Sequence, residues 1–280
     1  MKTKISAKKI VSKDNVDVYY WITYKQGMNN KFKFLHPASS MNHTSLEPLE
    51  FMLNYENHPT IILEPRGVGY SQTPNSKAFF QLDFYSDDIS EILKAEGIEK
   101  PDFIGHSTGF MPSIDYAYRT NNADKIFGIG GSYHFPDTTA SKLIFHFFNR
   151  VFRYNELVVS PIMFLWHNAN SRLRPYNDQS KVKGALKTYA SLVDVPFKEA
   201  LNHCISGIEI NKWNITQQLK ELDNQIILLY GNKDIAVVAE KAGNRIKQIG
   251  KDVKIHVIEG GHDLPIQHPE RVLEIIKKYN

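Results

Sequence analysis

The chain has 280 residues, of which 42% are hydrophobic and 23% are charged, and 34 basic and 30 acidic side chains give a net charge of +4. This composition is typical of a folded globular protein and excludes intrinsic disorder, and the basic residues form no block that would predict nucleic-acid binding. The length predicts one main domain with an elaboration.

The cellular compartment is indicated by cysteine use and by the absence of long apolar runs. Cys204 is the only cysteine, so the chain cannot form an intramolecular disulfide. This excludes a secreted protein that is stabilised by internal disulfides. Residues 1–10 are basic but lack the apolar core of a signal peptide. The most apolar run, residues 157–166, is about half the length needed to cross a bilayer. We therefore expect a cytoplasmic protein without a membrane span.

Strand and helix patterns alternate along most of the chain. Residues 4–12 and 15–24 are rich in β-branched and aromatic residues around a polar turn, which predicts an antiparallel hairpin. Near-continuous apolar segments such as 60–64 predict strands that are covered on both faces. Together these patterns predict an α/β fold with a doubly wound, mostly parallel sheet. The other predicted strands are residues 31–36, 101–104, 125–130, 225–230 and 253–258, and the predicted helices are 44–55, 81–97, the segment that follows residue 109, 238–249 and 269–279.

The alternation stops between residues 133 and 211. This segment has no convincing strand pattern and is rich in aromatic residues, which predicts a helical cap inserted between two core strands. The core domain would then comprise residues 1–132 and 212–280. Most of the aromatic rings are expected to pack the cap helices together, and a minority to line an apolar substrate pocket.

Residues 105–109 read Gly-His-Ser-Thr-Gly and follow a short apolar strand. The pattern G-x-S-x-G between a strand and a helix allows a tight turn in which the serine hydroxyl projects above the sheet. Ser107 is therefore a candidate nucleophile. Because a serine hydroxyl is a weak nucleophile alone, it requires a general base, an acid behind the base, and donors for an oxyanion.

A base and an acid are found on loops that follow the last two predicted strands. His262 comes after the strand at 253–258, and Asp234 after the strand at 225–230. Loops that follow parallel strands share the carboxyl edge of the sheet, where open α/β sheets bind ligands. Asp137, just beyond the strand at 125–130, is an alternative position for the acid.

These motifs resemble the α/β-hydrolase superfamily, and the resemblance extends from the first strand to the end of the chain. The elbow at 105–109, the loop at 231–234 and the Gly261-His262 loop match the family pattern, and residues 66–71 look like its R-G-x-G-x-S loop. The resemblance implies that Ser107 is the nucleophile, His262 the base and Asp234 the acid.

The resemblance also implies an oxyanion hole made of two backbone N–H groups, those of Thr108 and Ala38. The family usually has His-Gly after the oxyanion strand, whereas this chain has His36-Pro37. Proline lacks an N–H, but the donor belongs to Ala38, so the hole is compatible with proline at this position. The structural interpretation of His36, His106 and Arg66 is that they pack or tie loops together.

The activity implied by the resemblance is hydrolysis of a small-molecule acyl ester with an apolar portion, without a metal or an organic cofactor. Thioester, lactone and carbon–carbon bond hydrolysis use the same machinery and remain alternatives. The aromatic residues of the predicted cap favour a narrower hypothesis, in which the enzyme is a lysophospholipase or a monoacylglycerol lipase. A hypothesis of another class is a ligand-binding protein on a hydrolase scaffold, and the His36-Pro37 loop is the feature that favours it. The sequence leaves the oligomeric state open.

Overall fold

The computed structural model describes residues 4–38, 41–134, 209–210, 212–234 and 236–280. The predicted cap, residues 133–211, lies almost entirely outside the described residues, as does Asp137, so the cap and the domain boundaries stay predictions. At its described ends, His134 forms an isolated antiparallel bridge with Asn214.

The described strands and five of the seven described helices agree closely with the predicted ones, whereas the short helices Thr216–Glu221 and Leu264–Gln267 were not predicted. Strands β1 to β8 are Lys4–Val11, Asp17–Tyr24, Lys33–His36, Thr60–Leu63, Asp102–His106, Ile126–Ile129, Ile226–Gly231 and Val253–Ile258. Helices α1 to α7 are Glu47–Tyr55, Leu82–Glu96, Phe110–Thr120, Thr216–Glu221, Ala239–Ile249, Leu264–Gln267 and Pro269–Lys277. Strand β3 starts two residues later than predicted, because its pairing with both β4 and β5 begins at Lys33.

The strands form one 8-stranded sheet in the order β1-β2-β4-β3-β5-β6-β7-β8. Strands β1 and β2 form the predicted hairpin, with Val11 opposite Asp17, and β2 also runs antiparallel to β4. The neighbouring pairs β4–β3, β3–β5, β5–β6, β6–β7 and β7–β8 are all parallel. The prediction of a doubly wound, mostly parallel α/β sheet is confirmed.

The two faces of the sheet carry two separate apolar cores. Alternate residues of each strand point to opposite faces, so Phe103 joins one core and Ile104 the other. The first core packs against α2, α3 and α5, and the second against α1 and α7. Strands β3 to β7 are buried along their whole length, which explains their near-continuous apolar sequences. Both surfaces of the central sheet are thus covered by helices.

Arg66, in the loop after β4, is completely buried and connects distant parts of the chain. Its Nε donates to Asp88 Oδ2 of α2 over 2.8 Å, and its Nη1 donates to Asp14 Oδ2 of the β1–β2 turn over 2.8 Å. Burial alone would lower the pKa of the guanidinium, but the two carboxylates hold it above its ordinary value. Arg66 therefore ties loops together, as the sequence predicted.

Candidate active site

The segment around Ser107 forms a sharp turn between β5 and α3. Strand β5 ends at His106, a single 3-10 turn covers Ser107–Gly109, and α3 begins at Phe110. Ser107 has a φ of 52°, in the left-handed region that residues other than glycine adopt only at a cost. The strained elbow expected from G-x-S-x-G is therefore present.

Two glycines make this turn possible. A Cβ atom on Gly105 would lie 2.5 Å from the Cα of Phe110, so the strand and the helix can approach only without a side chain there. A Cβ atom on Gly109 would lie 2.3 Å from the backbone oxygen of His36. The elbow thus packs directly against the loop that follows β3.

Ser107, His262 and Asp234 are joined by two hydrogen bonds. The Nε2 atom of His262 lies 2.9 Å from Ser107 Oγ, and its Nδ1 atom lies 2.7 Å from Asp234 Oδ2. Because an ionised carboxylate can only accept, Nδ1 donates to Asp234 and Nε2 is left to accept the serine proton. The structure therefore brings Ser107 together with two residues that lie more than a hundred positions further along the chain.

The loops that hold His262 and Asp234 are in close contact. A Cβ atom on Gly231, at the end of β7, would lie 2.2 Å from the backbone oxygen of Gly261, next to His262. Asp234 Oδ1 accepts the backbone N–H groups of Ala236 at 2.8 Å and Val237 at 2.9 Å. These bonds leave Oδ2 directed at His262, so the carboxylate has one fixed orientation.

Gly130, which the sequence interpretation did not single out, forms part of the wall of this site. It follows β6 with a φ of +60°, and a Cβ atom there would lie 2.9 Å from Cε1 of His262. Any side chain at this position would push the imidazole out of line with Ser107. The sequence signal was a glycine directly after a buried strand, which often marks close approach of another group.

The two residues predicted to donate to an oxyanion, Ala38 and Thr108, are each 8% exposed. Thr108 lies in the elbow, and Ala38 lies on the β3 loop that packs against Gly109. His36 is fully buried, and its Nδ1 donates to the backbone oxygen of Pro37 over 2.8 Å. Burial lowers the pKa of His36 to about 4, so the ring is neutral at pH 7 and acts as a structural support of this loop.

A family model described as the alpha/beta hydrolase fold matches residues 45–269, which is most of the chain. The chain belongs to the α/β-hydrolase family. The matched region includes Ser107, Asp234 and His262.

Two further findings concern the described part of this α/β-hydrolase. It contains no helix long and apolar enough to cross a membrane, and no group of three or more His, Cys, Asp or Glu side chains arranged to hold a metal ion.

Solved structures with the same fold align over nearly the whole α/β-hydrolase chain. The enol-lactonase from Burkholderia xenovorans aligns with 97% of this chain and 99% of its own, with a TM-score of 0.78 and 13% identity. The esterase from Exiguobacterium antarcticum aligns with 98% and 99%, with a TM-score of 0.77 and 16% identity. The bromoperoxidase from Bacillus anthracis also aligns with 98% and 99%, with a TM-score of 0.74 and 17% identity. At such identities the likeness concerns the fold alone.

A curated relative shares a shorter stretch of sequence with this α/β-hydrolase. A proline iminopeptidase from Flavobacterium johnsoniae is 27% identical over 103 residues, which is 35% of this chain and 34% of the relative. The match spans about a third of the relative's length.

Proposed function

We propose that this α/β-hydrolase is a serine hydrolase that cleaves carboxylic esters through an acyl-enzyme intermediate on Ser107. The observation that supports this most directly is the continuous hydrogen-bonded chain from Asp234 through His262 to Ser107, with lengths of 2.7 and 2.9 Å. A general base must lie within about 2.6–3.2 Å of the proton that it removes, and His262 meets that condition. The two bonds also assign each residue a distinct role.

In the acylation step, the Oγ atom of Ser107 attacks the ester carbonyl carbon while Nε2 of His262 takes the hydroxyl proton. The tetrahedral intermediate then collapses: the bond to the leaving alcohol breaks, and the imidazolium gives its proton to that alcohol. In deacylation, His262 removes a proton from water as the water oxygen attacks the acyl carbonyl carbon. The bond from that carbon to Ser107 Oγ then breaks, the acid is released, and the imidazolium returns its proton to Oγ. Asp234 stabilises the imidazolium in both steps and keeps the ring in the required tautomer.

The negative charge on the carbonyl oxygen requires fixed donors in a site shielded from water. We assign this role to the backbone N–H groups of Thr108 and Ala38. The support is that both residues are largely buried and that the β3 loop packs against the elbow at Gly109. Neutral His36, bonded to the oxygen of Pro37, stiffens the loop in front of Ala38.

The structural neighbours do not separate the possible acyl substrates. Two of them are named as an esterase and an enol-lactonase and a third as a bromoperoxidase, and esters, thioesters and lactones all form the same kind of tetrahedral intermediate. The aromatic cap sequence favours an acyl group with an apolar chain. A series of p-nitrophenyl esters from acetyl to palmitoyl measures this. A preference for long chains supports a lipase-like substrate, and a preference for acetyl or butyryl contradicts it.

Substitution of the nucleophile tests the proposed function. In Ser107→Ala we expect kcat/KM for p-nitrophenyl esters to fall by at least about 10³-fold, because no group remains to form the acyl-enzyme. Labelling by a fluorophosphonate should be lost as well. The control is Ser90→Ala, since Ser90 is a half-buried serine on α2, and this variant should keep the wild-type rate. Wild-type activity in Ser107→Ala would contradict the proposal.

A panel of other substrates distinguishes the alternatives. Thioesters, lactones and a proline p-nitroanilide are included, the last because the curated relative is named a proline iminopeptidase. If no substrate turns over but a ligand raises the melting temperature, the binding-protein hypothesis is favoured. Multiple turnover on any member of the panel excludes it.

A further inference from the structure

His106, the last residue of β5, connects the elbow to the loop of the base. It is 1% exposed, and its Nε2 atom lies 3.2 Å from the backbone oxygen of His262. A carbonyl oxygen can only accept, so Nε2 must bear a proton and donate it. This bond joins two residues that are 156 positions apart. The neighbour of Ser107 in the sequence therefore holds the main chain of the base.

The surroundings of His106 favour one neutral form of its ring. Its Nδ1 atom is buried and makes no hydrogen bond to any described residue, so a proton there would be a buried donor without an acceptor. Burial and then the nearby His262 lower the pKa of His106 to about 4, although Asp263 and Asp234 act in the opposite direction. At neutral pH the ring is therefore uncharged, with its proton on Nε2. In this tautomer Nε2 cannot accept a proton from Ser107, because Nε2 is already a donor.

The loop that holds His262 is bonded at both glycines that precede the base. The N–H of Gly260, which has a φ of +150°, donates to Asn232 Oδ1 over 3.2 Å, and the N–H of Gly261 donates to Gln267 Oε1 over 3.1 Å. The ring itself is bonded at Nε2 and Nδ1, and Gly130 closes one side of it. These contacts act on the imidazole and on the glycines before it, rather than on the main chain of His262 itself. The bond from His106 acts on that main chain.

We propose that His106 is a positioning residue whose Nε2–H group holds the backbone of His262, so that the imidazole meets Ser107 and Asp234 together. The kinetic consequence of this role rests on the proposed function, whereas the hydrogen bond and the tautomer do not.

Two substitutions of similar size distinguish hydrogen-bond donation by His106 from the packing of its ring. Phenylalanine at position 106 keeps a planar ring but has no donor, and glutamine places an amide N–H near the position of Nε2. For His106→Phe we expect kcat to fall by about tenfold to a hundredfold at nearly unchanged KM, because a small displacement of the base slows proton transfer. For His106→Gln we expect kcat within about threefold of wild type, because the hydrogen bond is restored. The rate of fluorophosphonate labelling should follow the same order.

The proposal is overturned if both variants keep the wild-type rate. It is also overturned if both lose activity equally and their melting temperatures fall equally, since His106 would then matter only for packing.

Nitrogen-15 NMR of the imidazole tests the wild-type protein directly, with His106→Gln used to assign the signal. We expect a neutral Nε2–H form between about pH 5 and pH 8. A proton on Nδ1, or a titration near the ordinary pKa of 6.5, contradicts the proposal even if the activities of the variants do not differ. A wild-type protein that resists fluorophosphonate would instead contradict the proposed function, and the NMR outcome would still decide the role of His106.

Discussion

The side chain of Asp234 is held in one orientation, and that orientation decides which ring nitrogen of His262 can accept a proton. Its Oδ1 atom is occupied by the backbone N–H groups of Ala236 and Val237, and its Oδ2 atom faces Nδ1 of His262. The neutral imidazole therefore has its proton on Nδ1 and a lone pair on Nε2. The lone pair faces Ser107.

Asp234→Asn should reverse this arrangement without removing any atom from the site. The asparagine oxygen must face the two backbone donors, so its NH₂ group faces Nδ1 of His262. Nδ1 is then forced to accept, and Nε2 carries the proton and cannot take one from Ser107. We expect kcat to fall by about 10⁴-fold in steady-state ester hydrolysis, because the wrong tautomer is stabilised.

The control for this prediction is Asp223→Asn, at an aspartate whose side chain is 88% exposed and pairs with Lys251. It should keep the wild-type rate. If Asp234→Asn keeps that rate as well, Asp234 is not the acid, and Asp137 becomes the candidate to substitute next.

The residues of the site could be predicted from sequence because each follows a recognisable strand. Ser107, Asp234 and His262 come directly after apolar segments whose carboxyl ends meet at one edge of a parallel sheet. The contacts of Gly130 and of His106 with His262 could not be predicted. Both depend on the packing of loops that are more than a hundred residues apart, and no local pattern encodes such packing.

At the scale of the element, the elbow depends on close contact between the β3 loop and the start of α3. Gly109 permits this contact, because the backbone oxygens of His36 and Pro37 lie 2.3 and 2.5 Å from the position that a Cβ atom would occupy. Backbone atoms cannot move aside as the end of a flexible side chain can. The loop of Ala38 would have to shift as a unit.

Gly109→Ala should therefore destabilise the protein and misplace the proposed oxyanion donor. We expect a loss of about 1–3 kcal/mol in the free energy of unfolding, from overpacking in a tight interior. Urea unfolding measures this loss, and ester hydrolysis should fall with it. The stability control is Gly261→Ala, because its Cβ atom would lie at an ordinary 3.5 Å from Gln267. Equal stability of the two variants would contradict the close-contact argument.

The elements themselves were predictable from sequence for a physical reason. Buried strands such as Ile226–Gly231 are apolar throughout, and α2 ends at Gly97, whose φ of +64° suits a helix C-terminus. The order of the strands was not predictable in this way. Strand β4 lies between β2 and β3 in the sheet, and such pairings join distant segments that no local periodicity specifies.

At the scale of the whole molecule, the described core is a sheet that helices cover on both faces, and the predicted cap lies outside the described residues. The expected cytoplasmic location rests mainly on the use of a single cysteine and stays a prediction. The buried Arg66 connects distant segments of the described core, because it bonds to both the β1–β2 turn and α2.

Substitution of Arg66 tests how far the fold depends on that one charge. In Arg66→Met the carboxylates of Asp14 and Asp88, with side chains 3% and 1% exposed, would remain buried without their cation. We expect a loss of about 3–5 kcal/mol in the free energy of unfolding, because an uncompensated buried charge is costly.

The matched control is Arg119→Met, because Arg119 is 38% exposed and pairs with Asp87 at 2.9 Å. An ion pair open to water contributes at most about 1 kcal/mol, so this variant should unfold near the wild-type urea concentration. Similar midpoints for the two variants would contradict a structural role for Arg66. A fall in ester hydrolysis without a fall in stability would point instead to a substrate contact, which the complete burial of Arg66 argues against. The expected order, Arg66→Met far below Arg119→Met and wild type, follows from the difference in burial, since both arginines pair with carboxylates.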